Sequence, residues 1–99
     1  MWIAPAFAKP DELDAAVSGV RESLKPQLAD ITYTLGSDWA GDPAIFFHVV
    51  IPDALAEHDP RLRKSRHLIF DIEDALQPVG KWGVMPYFSF STESRDAQN

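Results

Sequence analysis

Cysteine is missing from all 99 residues. That rules out a disulfide framework and thiolate chemistry at a metal or redox centre, and it fits a cytoplasmic location. Long apolar runs are missing too. Nothing approaches the roughly eighteen residues a membrane-spanning helix needs, and the opening MWIAPAFAKPDE lacks the basic and long apolar regions of a signal peptide. Histidine occurs three times, with no H-x-x-x-H or H-E-x-x-H spacing, which argues against a zinc site. No G-x-S-x-G, P-loop or G-x-G-x-x-G is present, so no motif nominates an enzyme nucleophile or a nucleotide cofactor. Basic residues are scarce: nine Lys and Arg stand against fifteen Asp and Glu, a formal net charge of −6. Such a surface repels nucleic acid and anionic lipid as a whole.

What the chain does have is apolar and aromatic weight. Hydrophobic residues make up 45%, with six Phe, three Trp and two Tyr, ample for one packed core. The organising stretch runs from Asp30 to Asp53. Ile31, Tyr33 and Leu35 alternate with Thr32 and Thr34, the period of a half-buried strand. Gly36, Asp38, Gly41, Asp42 and Pro43 then mark a turn. A second strand from about Ala44 to Ile51 carries Ile45, Phe47, Val49 and Ile51 on a core face, and Pro52 closes it.

Its other face is the unusual one. Thr32, Thr34, Phe46, His48 and Val50 would look outward, joined by Met85, Tyr87, Ser89 and Ser91 of a third strand over about Val84–Ser91. Burying a Phe or Val contributes about 1.5–3 kcal/mol, so this face is expected to be covered. The apolar arm of residues 1–9, a second copy or a partner could each do so. Pro5 and Pro10 argue against helix through the arm, whose Trp2, Ile3 and Phe7 need cover.

Helices complete the pattern. Leu13, Ala16, Val17, Val20 and Leu24 form an apolar stripe over residues 11–25, ended by Pro26. Asp53–His58 reads as a connection, and Asp59-Pro60 opens a second helix to about Leu76. Leu62, Ile69, Ile72 and Leu76 set its stripe, widened by Leu68 and Ala75. Pro86 within the third strand belongs at an edge or bulge. The expected fold is an α+β two-layer sandwich of order α-β-β-α-β, with two helices on one face of a three-stranded sheet. One domain spans residues 1–91, followed by a disordered tail over 92–99.

Three sites compete. Asp38 and Asp42 flank the hairpin tip and could hold Mg²⁺ or Ca²⁺, making a metal-assisted hydrolase with His48; ordinary turn chemistry explains the same aspartates. Trp39 between them is either a plug or an anchor for a partner. The basic start of the second helix, Arg61, Arg63, Lys64, Arg66 and His67, could contact phosphates. With an acidic whole, an acidic protein partner or the acidic loop of a second copy ranks ahead of RNA. Charge there opposes the helix dipole, and His67 with Asp71 at i, i+4 would recover part of that cost.

The order α-β-β-α-β, over roughly residues 11–91, is similar to the type II KH layout of ribosome-associated RNA-binding domains. That family clamps RNA with a G-x-x-G loop between two helices. Here Gly80-Lys81-Trp82-Gly83 lies between the second helix and the last strand, and Trp82 replaces a small basic insert. The resemblance implies RNA binding by the basic helix start and Lys81. The reading drawn from the residues themselves is a non-catalytic, cofactor-free, acidic interaction module. It self-associates or serves a larger bacterial-type complex, and uses Trp39, Phe46, His48, Trp82 and Tyr87.

Overall fold

The structure, a computed structural model, describes residues 3–25, 27–57 and 63–97. The hydrophobic pattern becomes a mixed α+β fold. Strands β1 (Asp30–Ser37), β2 (Pro43–Ile51) and β3 (Met85–Thr92) form one sheet in the order β1-β2-β3. β1 and β2 are antiparallel, with Ile31 opposite Val49 and Thr34 opposite Phe46. β2 and β3 are parallel, with Phe46 opposite Tyr87 and His48 opposite Ser89. The most apolar strand is therefore central. Pro86 sits in an edge strand, where a missing donor is tolerated.

The principal helices are α2 (Pro10–Leu24) and α4 (Arg63–Leu76). Leu13, Val17 and Val20 of α2 and Leu68, Ile72 and Leu76 of α4 are buried against Ile31, Ile45, Phe47 and Val49 in one cluster. Both helices thus cover the same sheet face. The α4 stripe is rotated slightly from expectation: Leu68 is fully in, Ile69 is half-buried and Ala75 is exposed. Leu62 and the Asp59-Pro60 start lie outside the described residues.

Three short helices were not foreseen. Against the expectation of no helix through the arm, Pro5 begins α1 (Pro5–Ala8), and Pro10 begins α2 one residue ahead of the expected start. A proline at the first helical position forfeits no intrahelical bond. The Asp53 connection is helix α3 (Asp53–Glu57). The tail expected to be disordered contributes Thr92 to β3 and forms α5 (Glu93–Ala97). Long-range bonds account for this: Asp53 Oδ1 accepts the Ser94 N–H at 3.2 Å and its hydroxyl at 3.1 Å. The Asp53 N–H donates to Glu93 Oε1 at 3.3 Å.

Of the arm, residues 3–9 are described; its small residues pack into the domain while Ile3 and Phe7 stay exposed, at 59% and 43%. Ala4 and Ala6 are buried within the core cluster, and the Ala6 N–H donates to the Trp82 carbonyl at 3.1 Å. Neither alanine lies on the outer sheet face.

Candidate functional site

Side-chain alternation along β2 and β3 puts Ala44, Phe46, His48 and Val50 beside Met85, Tyr87, Ser89 and Ser91. The two ends of this face are closed, with Ala44 fully buried and Val50 6% exposed. Its middle is not. Phe46 is 39% exposed and stacks on Tyr87 with ring centroids 5.3 Å apart and planes 20° from parallel. Offset stacking of this kind holds both rings in place.

His48 sits in a hydrogen-bonded clamp. Nδ1 lies 3.0 Å from Ser89 Oγ, and Nε2 lies 3.0 Å from Ser91 Oγ. Ser89 Oγ donates to the Phe47 carbonyl at 3.3 Å. Which partner donates in each of the two ring contacts depends on the tautomer. The ring is a cross-strand tie.

Asp38 builds the hairpin tip. Its Oδ1 accepts the N–H groups of Ala40 at 3.0 Å and Asp42 at 2.9 Å. Its own N–H donates to the Asp42 carbonyl, and Gly41, at φ 84°, returns a bond to the Asp38 carbonyl. Oδ2 accepts the Tyr87 hydroxyl at 2.8 Å. The Tyr87 bond, followed by the backbone N–H groups, holds the Asp38 carboxyl below the ordinary carboxylate range; the same bond, aided by burial and nearby acids, pushes the Tyr87 phenol up. These are turn roles for Asp38. Among the described residues no group of three His, Asp or Glu is placed to hold a metal ion.

Trp39 is 93% exposed at the apex of that braced loop. The indole is not folded back as a plug. Trp82 is elsewhere: it packs partly against the core and accepts the bond from the arm. Fold and face thus bring together Phe46, His48 and Tyr87, set Trp39 at their rim, and separate Trp82.

No family model, curated protein or solved structure matches this chain.

The KH likeness therefore rests on element order alone. The Gly80–Gly83 segment is a turn tied down by bonds from Lys81 to Gln77, Gly83 to Val79 and Val84 to Pro78. Of the basic patch, Arg66 and His67 are exposed on α4. Arg61 and the side chains of Arg63 and Lys64 lie outside what is described. His67 and Asp71 form no ion pair among the described contacts. Gly19 faces open space, so it serves no close helix–sheet approach.

Two features escaped the sequence reading. Phe70 is 69% exposed on α4; its position two residues beyond Leu68, on the far side of a 3.6-residue turn, was the available signal. The other is Arg21. It reaches Asp30 Oδ1 at 2.9 Å and the Ile31 carbonyl at 2.6 Å, a pairing between a helix and a strand edge that no local pattern announces.

Proposed function

We propose that this protein is a non-catalytic interaction module that receives a protein surface on the outer face of its sheet, either a second copy or the larger subunit of a complex. The observation that carries the proposal is Trp39, 93% exposed on a loop held to the face by the Asp38–Tyr87 bond. A bare indole on a mobile loop would lose entropy on docking. A braced one does not, and pre-organised aromatic anchors dominate interface energies. The stacked Phe46–Tyr87 pair provides a flat apolar platform beside it. Met85, 44% exposed, extends that platform along β3, and methionine adapts to varied partner shapes. No described helix is long and apolar enough to cross a membrane.

Bait proteins carrying Trp39→Ala or Phe46→Thr, compared with wild type, test the proposal. The expected result is a partner, or self-association seen by light scattering, that is present with wild type and lost with both variants while circular dichroism is unchanged. Equal behaviour of all three proteins counts against the outer face as the docking surface.

A further inference from the structure

Strand β1 lies at the edge of the sheet, pairing only with β2. The Ile31 N–H is taken by Asp30 Oδ1 at 2.8 Å and its carbonyl by Arg21. Both groups therefore point away from β2. Backbone polar groups change sides at each successive residue of a strand, so Tyr33 and Leu35 turn theirs outward as well. Arg21 and Asp30 cap the first position of this open row and leave the next two. Strand edges are ordinarily blunted by Lys, Pro or a bulge. The run from Ile31 to Ser37, ITYTLGS, has no Lys, no Pro and no charge at all.

We propose that β1 is a dimerisation edge: two copies of the chain pair β1 against β1, antiparallel about Thr34, merging their sheets. The occupant follows from symmetry and charge. Tyr33 and Leu35 flank Thr34 evenly, so two identical rows exchange N–H and C=O groups about a two-fold axis, Tyr33 of each copy meeting Leu35 of the other. A molecule of net charge −6 repels its like across most of its surface; this seam is neutral. Asp38 falls level with Asp30 of the partner subunit. That approach is softened because Arg21 neutralises Asp30. Thr32 and Thr34 are β-branched strand formers that stay exposed in the single chain. The inference rests on the interaction-module reading and names one of its partners, while leaving the outer face free for another.

The absence of cysteine makes the test clean. In this pairing Thr34 faces itself across the axis with Cα atoms about 4.5 Å apart, within disulfide reach; copies of Thr32 are four residues out of step, roughly 13 Å apart. Thr34→Cys under mild oxidant is expected to form a covalent dimer at least ten-fold faster than Thr32→Cys. Sedimentation of the full wild-type chain is expected to show concentration-dependent dimer, weakened at least ten-fold by Thr34→Lys. A wild-type monomer at every concentration overturns the inference, as does cysteine coupling no faster at 34 than at 32. Should Thr34→Lys fail to fold, the two cysteine variants decide. Loss of partner binding in Trp39→Ala with a monomeric wild type would defeat the edge but keep the module; Thr34→Cys coupling with inert Trp39 and Phe46 variants would do the reverse.

Discussion

The Tyr87 hydroxyl donates to Asp38 Oδ2 at 2.8 Å across 49 residues of sequence. It fastens the tip of one hairpin to the edge strand on the opposite side of the sheet's centre. Trp39, next in sequence, is thereby held as an exposed residue on a fixed loop.

This bond has a pH signature at both extremes. Asp38 has its pKa lowered by Tyr87, so its contribution is present above the ordinary value of 3.8 and is lost as pH falls through the lower folded value. Tyr87 has its pKa raised by Asp38, so the neutral phenol contributes below 10.0 and is lost as pH rises through the higher folded value. Tyr87→Phe is expected to remove the alkaline dependence, and to weaken the acid one and raise the Asp38 carboxyl toward 3.8, the backbone N–H groups keeping the remainder. Thermal melts across pH, with NMR titration of Asp38, check this.

Phe47 is 2% exposed at the centre of β2 and stacks on Phe88 at 5.1 Å. Phe47→Ala is expected to cost about 3–5 kcal/mol through lost burial and an unfilled cavity. Phe46→Ala, one residue away on the outer face, should cost much less. Urea unfolding of both variants separates the two sides of one strand.

Two glycines should respond in opposite directions. At Gly36 an added Cβ meets Phe46 at 3.6 Å, an ordinary contact, so Gly36→Ala is expected to stabilise by about 0.5 kcal/mol through reduced chain entropy. Gly41 has φ 84°, where an L-residue is strained, and Gly41→Ala is expected to destabilise by about 1–2 kcal/mol. Paired denaturation midpoints are the measurement.

Arg21→Ala removes the Asp30 ion pair, 29% and 53% exposed, and the cap on Ile31. A loss of about 1 kcal/mol is expected, given how little half-exposed pairs contribute. Freeing Asp30, whose Oδ1 holds the Ile31 N–H, should also speed amide exchange at Ile31 relative to the central strand.

Trp39→Phe is expected to leave stability within about 0.5 kcal/mol, as exposed substitutions do, yet to remove a red-shifted part of the tryptophan emission. Trp2 and Trp82 remain, and Trp82, half-buried, should emit at shorter wavelength than Trp39 does.

Local pattern carried much of the fold. The two-residue alternation of Ile31–Leu35 and Ala44–Ile51 and the stripe of Leu13, Val17 and Val20 each appear where the structure has them. These regularities express burial of one face, which periodicity reports directly. Pro5 and Pro10 misled because proline both breaks helices and starts them, and only the surrounding bonds decide which. The same limit applies to Glu93–Ala97, whose helix depends on Asp53, forty residues earlier.

By itself, the sequence determined which residues are apolar, how they alternate and where turns must fall; hence an α+β fold with β2 greasy on both sides. Only the tertiary structure decided that β3 lies beside β2, that the N-terminal arm joins the helix layer, and that Trp39 stands out while Trp82 tucks in. Burial is a one-body property legible residue by residue. Strand order, the Arg21 cap and the Asp38–Tyr87 bond are pairings between distant segments, and they exist only once the chain has closed on itself.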